Sequence, residues 1–317
     1  MRKNPEMKPS AALIHIGLAK TATTSLQRNL LAHHREIYYF GYENCELSMR
    51  WIINMIKSQD SLDYKQSQVD DVVERIFQKN PLENKKLVVS DEFFTLPYHP
   101  GYSAVDRGEI AKRLFETFGQ AKILLVIRRP RDLLGGLYSE WMKWYGFHHF
   151  SRIDFNKWVT SLLNRPQTTW LSILKYYDLY KTYKDIFGDD SIIVYLYEDI
   201  AKDNPAFARK FCELIGVSSE GAGELFSRKQ YRSRMTQWEV QERMTFAQNP
   251  GLGRLYFKIS RRRPIRYVMN RILPGRQKAG TRMSQENAIR IQRRFCSQYE
   301  RLALETGLNL KDYGYYD

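Results

Sequence analysis

Ala11-Ala12-Leu13-Ile14-His15-Ile16-Gly17-Leu18-Ala19-Lys20-Thr21-Ala22-Thr23-Thr24-Ser25 is the stretch on which the reading of this chain turns. The run Ala11 to Ile16, bounded by Pro9 and Gly17, is a short apolar strand pattern, and Leu26, Leu30 and Leu31 then fall on one face of a helix over Thr24–Leu31. Between strand and helix lies a turn of small residues with one lysine and four hydroxyls. Such a turn offers an anion several backbone N–H groups, a helix N-terminus and an ammonium. It is not a Walker A loop: Gly-Lys-Thr/Ser is missing, and Lys20 stands on the strand side of the turn. The same residues would also suit an ordinary helix start with a surface lysine, so the rest of the chain has to decide.

Three more apolar runs read as strands: Lys86–Ser90, ending in Asp91-Glu92; Ile123–Ile127, running into Arg128-Arg129-Pro130-Arg131-Asp132; and Ile192–Leu196. Helical periodicity at Leu47–Ile56, Val69–Phe77 and Ile110–Phe118 separates them, and Ser284 is placed to cap a last long helix reaching Leu304. Alternating apolar strands and amphipathic helices predict an α/β fold, a parallel central sheet flanked by helices with a helical C-terminal part. Ligands of such sheets bind beyond the carboxyl ends of the strands, which singles out the residues that follow each one.

With 317 residues, 43% apolar and 14% aromatic, the chain can bury a sizeable core, which excludes disorder and fibrous repeats. The net charge is +15, and it is concentrated: Arg228 to Arg282 holds 15 of the 50 basic residues and only 2 of the 35 acidic ones. Phosphates, sulfates, nucleic acid and anionic membrane are all attracted by such a surplus. Cys45, Cys212 and Cys296, odd in number and without CxxC spacing, argue against a disulfide framework and a zinc site, and favour a reducing, cytoplasmic setting. No run approaches the roughly 20 apolar residues of a membrane span. The N-terminal apolar run is followed by a polar turn and an amphipathic helix, which suits a core strand better than a signal peptide.

The turn Lys20-Thr21-Ala22-Thr23-Thr24 resembles the 5′-phosphosulfate loop of the sulfotransferases that use 3′-phosphoadenylyl sulfate (PAPS), Pro-Lys-x-Gly-Thr-Thr before a helix. Ala19 replaces the Pro and Ala22 the Gly, so the turn must be achievable with a Cβ. The resemblance implies Lys20 on the sulfonate and bridging oxygen, with Thr21, Ala22, Thr23, Thr24 and Ser25 around the 5′-phosphate. Ile123–Leu137 is similar to the family's 3′-phosphate element, a strand, Arg-x-Pro, and a helix with Ser eight positions after the Arg. Arg128 and Pro130 are in place, Gly136 stands at the eighth position, and Ser139, about one turn on, is the candidate hydroxyl. An arginine fork grips a phosphate dianion bidentately. Gly135-Gly136 inside a helix costs roughly 1 kcal/mol per residue relative to Ala, so a close approach, by packing or by a ligand, is expected there.

Tyr197-Glu198-Asp199-Ile200 after the last strand, Leu214-Ile215-Gly216-Val217 and Tyr313-Gly314-Tyr315 extend the likeness over residues 11–150 and 190–315. Lys278 in Lys278-Ala279-Gly280-Thr281-Arg282 is similar to a late Lys-Gly loop that closes over the nucleotide. The resemblance implies a single P-loop-like sulfotransferase domain over 1–317: an α/β nucleotide-binding body (11–227), a basic Pro/Gly-punctuated segment (228–282), and a C-terminal helix and tail (283–317). It further implies PAPS as co-substrate, PAP as product, no required metal, and an acceptor hydroxyl on a carbohydrate or glycolipid.

Sulfuryl transfer needs a charge stabiliser at the leaving phosphate, the expected role of Lys20, and a base for the attacking hydroxyl. Glu92 is the candidate base, since carbohydrate-directed members place a carboxylate after this strand; Asp91 is equally placed in sequence, and a carboxylate there also suits a cap for the next turn. His15 reads as a core histidine. Tyr138, Trp141, Trp144, Tyr145, Phe147 and Phe150, with His148 and His149, form an aromatic patch that suits either sugar stacking or packing. The basic segment suits a solvated face, an acidic acceptor, or the anionic inner face of a membrane to which the protein is peripheral. The competing functions are a P-loop-type kinase and a nucleic-acid binder using Arg228–Arg282; nucleic acid ranks last because it leaves the phosphate loop unexplained.

Overall fold

Five parallel strands make one sheet: β1 (Leu13–His15), β2 (Ile37–Gly41), β3 (Lys86–Ser90), β4 (Lys122–Ile127) and β5 (Ile192–Leu196), in the order β2-β3-β1-β4-β5. The computed structural model describes residues 9–41, 46–95, 106–145, 154–165, 169–229 and 281–316. Lys278, Phe147, His148, His149, Phe150 and nearly all of the basic segment lie outside them. Four strands fall where the apolar runs predicted them. β2 is a correction: Ile37-Tyr38-Tyr39-Phe40 adds a strand at the edge beside β3, where an aromatic run, favourable to strands, follows directly on a polar helix end.

β1 sits in the middle, with His15 opposite Ser90 of β3 on one side and Leu124 of β4 on the other. Strands covered on both faces are continuous apolar runs, which is why β3 and β4 could be read directly. On one face Leu13, Val88, Leu124 and Val126 pack with Leu26, Leu30 and Leu31 from the helix after β1 and with Phe207, Phe211 and Ile215 from helix Asn204–Ile215. Each fully buried side chain of this size contributes about 1.5–3 kcal/mol. The helix after β1 starts as an α-turn, Thr23–Ser25, and widens into a π-helix over Leu26–Leu31.

The chain divides into two compact units. The first comprises Met1–Arg129, Thr169–Tyr231 and Phe295–Asp317 and contains the sheet. In it, Asp106 caps helix Arg107–Phe118 by accepting from Gly108 N and Glu109 N. Arg113 of that helix, 1% exposed, donates to the carbonyls of Ile56 and Gln59, closing the end of helix Leu47–Ser58. The second unit comprises Pro130–Thr168 and Arg232–Arg294. There Tyr138, on the helix Pro130–Tyr145, packs against Phe155 and Trp158, so this member of the aromatic patch is core. Ser284 caps the last helix, Gln285–Thr306, as predicted, accepting from Asn287 N at 3.3 Å. Among the described residues no helix is long and apolar enough to cross a membrane.

Candidate active site

The turn after β1 is built with two side-chain-bearing residues in the left-handed region, Lys20 (φ 69°) and Ala22 (φ 65°). Ala22 thus adopts the conformation for which the resembling pattern uses glycine. Each such residue costs roughly 1–2 kcal/mol, so neighbouring contacts must hold the turn. Two of its four hydroxyls do so: Thr21 Oγ1 and Thr23 Oγ1 both donate to the Leu18 carbonyl and are buried. No side chain caps the helix that starts at Thr23, which leaves its first backbone N–H groups to other acceptors.

Arg128, immediately after β4, reaches across to this turn. Its Nη1 donates to the Lys20 carbonyl at 2.7 Å. The guanidinium lies over the Tyr197 ring, 4.1 Å from its centroid, a favourable cation–π stack. The Arg128 carbonyl accepts from Tyr176 OH at 2.6 Å; burial raises the pKa of this hydroxyl well above its ordinary value, so it stays a donor. The next residue, Arg129, donates its N–H to Glu198 Oε1 at 3.0 Å, and Tyr315 OH donates to Glu198 Oε2 at 2.9 Å. Tyr197-Glu198, noticed in the sequence only as a resemblance, therefore carries the support of Arg128. Nε of Arg128 is buried with no hydrogen-bond partner.

At the end of β3, Asp91 and Glu92 separate. Asp91 is 1% exposed; its Oδ1 accepts from Phe93 N at 2.7 Å, capping the short 3-10 turn Glu92–Phe94, and its Oδ2 pairs with Lys57 Nζ at 3.1 Å. Both carboxylate oxygens are thus engaged in structure, and Lys57 also lies over Phe93, 4.7 Å from the ring centroid. Glu92 is half-buried on the turn so fixed. Thr95 Oγ1 donates to the Gly17 carbonyl at 2.8 Å and lies 3.2 Å from the Glu92 carbonyl, tying this turn to the start of the turn after β1.

His15 is the core histidine expected, fully buried in β1. Gln27 Nε2 donates to Ser90 Oγ at 3.1 Å, and Ser90 Oγ shares a hydrogen bond with His15 Nδ1, 2.8 Å away. Complete burial lowers its pKa to about 3. The ring leaves no room at Gly17: a Cβ there would sit 2.3 Å from Nε2.

The second unit holds Gly136 and Ser139. Ser139 is 1% exposed and donates to the Gly135 carbonyl of its own helix at 2.9 Å. Gly135 faces Thr281, whose Oγ1 would lie 2.5 Å from a Cβ, so packing explains one of the two glycines. The candidate Lys278 lies outside the described residues. Among those residues, no three His, Cys, Asp or Glu side chains gather as metal ligands. Sequence reasoning passed over Thr95, Lys57, Tyr176, Ser90 and Gln27; only Thr95, three residues past Glu92, had a positional signal.

No protein-family model and no curated protein matches the sequence. Solved structures do. A sulfotransferase from Alicyclobacillus acidocaldarius superposes with a TM-score of 0.55 at 15% identity, covering 96% of this chain and 98% of its own. The sulfotransferase domain from the curacin biosynthetic pathway gives 0.41 at 12% identity, over 71% of this chain and 80% of that one. Retinol dehydratase in complex with androsterone and the inactive cofactor PAP gives 0.39 at 14%, over 70% and 65%. The fold is sulfotransferase-like: a five-stranded parallel sheet flanked by helices, with a C-terminal helix.

Proposed function

We propose that this chain is a PAPS-dependent sulfotransferase acting on a hydroxyl of a carbohydrate or glycolipid. The observation that carries the reading is the 2.7 Å hydrogen bond from Arg128 Nη1 to the Lys20 carbonyl. It joins the residues after two adjacent strands, so an ammonium and a guanidinium stand at one end of the sheet, the place where nucleotides bind in such folds. Lys20 would stabilise negative charge on the leaving 5′-phosphate, and the backbone of Thr21 to Ser25 would hold that phosphate. Arg128 would meet the 3′-phosphate through guanidinium donors other than the Nη1 spent on Lys20.

Glu92 is the base in this reading, because Asp91 is occupied by Lys57 and by Phe93 N. In the transfer, the acceptor oxygen bonds to sulfur, the bond from sulfur to the bridging oxygen breaks, PAP leaves with that electron pair, and the acceptor proton passes to the Glu92 carboxylate. The Arg228–Arg282 surplus would meet an acidic acceptor or the anionic membrane surface that carries it.

Calorimetric titration tests the nucleotide half. Wild-type protein is expected to bind PAP more tightly than 5′-AMP, without magnesium; a preference for Mg-ATP, or no binding of PAP, overturns the reading. Transfer from labelled PAPS to polysaccharide, glycolipid and small-phenol fractions tests the acceptor. Glu92→Gln is expected to lower turnover by about 100-fold or more while leaving PAP affinity within twofold, and retained turnover would remove Glu92 from the base role.

A further inference from the structure

Lys20 and Ala22 hold left-handed conformations two residues apart, and such strain persists only where surrounding contacts over-determine it. The hydrogen bonds made by Thr21 and Thr23 are internal to the turn, both ending on Leu18. The bond from Arg128 comes from a different strand, 108 residues away in sequence, and grips the carbonyl of a left-handed residue itself. A charged donor makes it one of the stronger classes of hydrogen bond.

Arg128 is a fixed post. Tyr197 lies under its guanidinium, Tyr176 holds its carbonyl, and Glu198 holds the next N–H. Glu198 is held in turn by Tyr315. One planar group therefore has one donor, Nη1, committed to the turn after β1 and a second, Nε, buried without a hydrogen-bond partner.

We propose that Arg128 is a positioning residue for the phosphate loop as well as a ligand of the 3′-phosphate, so that binding at the two ends of the nucleotide is linked through one guanidinium. This rests on the nucleotide reading above. If Arg128 served the 3′-phosphate alone, its removal would leave binding of a nucleotide without that phosphate unchanged. If it also shapes the loop at Lys20, such a nucleotide suffers too.

The test is titration of PAP and of 5′-AMP into wild type, Arg128→Met and Arg128→Lys, with thermal melting as a check on folding. Arg128→Met is expected to weaken 5′-AMP at least fivefold and PAP more than that. A lysine can still donate one hydrogen bond to the Lys20 carbonyl but has no fork, so Arg128→Lys is expected to restore 5′-AMP affinity to within twofold of wild type without restoring the preference for PAP. A loss of fold stability alone would not give that split. Should Arg128→Met fail to fold, Tyr197→Leu removes the platform and keeps the charge, and is expected to weaken both nucleotides in parallel. If Arg128→Met, or Tyr197→Leu in its place, binds 5′-AMP like wild type while losing PAP, the coupling falls and the proposed function stands. If wild type shows no preference for PAP over 5′-AMP, both fall.

Discussion

Replacing Lys57 by methionine isolates the ion pair beneath the Glu92 turn. Lys57 Nζ and Asp91 Oδ2 are 3.1 Å apart, with side chains 7% and 2% exposed. At an effective dielectric constant of about 20, two unit charges at that separation attract by roughly 5 kcal/mol. Methionine fills most of the lysine volume and regains the desolvation cost of the ammonium, but strands the Asp91 carboxylate in a buried site. Breaking a buried pair from one side typically costs 3–5 kcal/mol, and the bond that Asp91 keeps to Phe93 N places the expectation at the lower end, about 3 kcal/mol. Asp91→Asn in the same background removes the stranded charge and keeps an oxygen for Phe93 N, so the double variant should recover at least about 1.5 kcal/mol. Urea unfolding of wild type, both single variants and the double variant gives the coupling energy. PAPS turnover should fall in Lys57→Met, because the cap that fixes the Glu92–Phe94 turn is loosened. A Lys57→Met protein within about 0.5 kcal/mol of wild type, or single-variant losses that simply add, would refute the argument.

Two further expectations concern His15 and Gly17, beneath the turn after β1. In Gly17→Ala the new Cβ would lie 2.3 Å from Nε2 of a ring pinned by Ser90, so melting should show a loss of roughly 1–3 kcal/mol, partly regained in Gly17→Ala/His15→Ser; unchanged melting of the single variant would refute the clash. His15 has a folded pKa lowered to about 3 by burial, so below its ordinary value of about 6.5 the unfolded chain takes up the proton first. Stability should therefore decline as pH falls from about 6.5 toward 3, with a contribution of up to about 1.4 kcal/mol per pH unit that is absent in His15→Gln; equal pH slopes of the two proteins in urea unfolding would count against it.

The central strands were legible because a parallel strand buried on both faces leaves an uninterrupted apolar run, and the observed bounds of β3 coincide with its run; the edge strand β5 was legible because Ile192–Leu196 is apolar throughout. β2 was not, since Tyr38 and Tyr39 sit at a half-exposed edge and their signal merges with the helix end before it. In the candidate site, Lys20, Arg128 and Glu92 could be named because the segments after β1, β4 and β3 resemble the motifs of one family. What holds them could not. Tyr197 meets Arg128 only because β4 and β5 are neighbours, and Lys57 meets Asp91 only because helix Leu47–Ser58 passes the end of β3. Composition credited the loop with four hydroxyls for an anion, yet Thr21 and Thr23 turn theirs inward to Leu18. The glycine pair in helix Pro130–Tyr145 signalled a close approach without naming the partner, which for Gly135 is Thr281.

Ala22 at φ 65° bears on what keeps the loop in its shape. A glycine there would leave the unfolded chain, and any partly opened loop, with many more backbone states to lose. Alanine narrows that set but disfavours this conformation, so the turn keeps its shape only while the contacts from Thr21, Thr23 and Arg128 hold it. In the proposed function, preorganisation of the anion cradle therefore resides in those contacts and not in the residue at its apex.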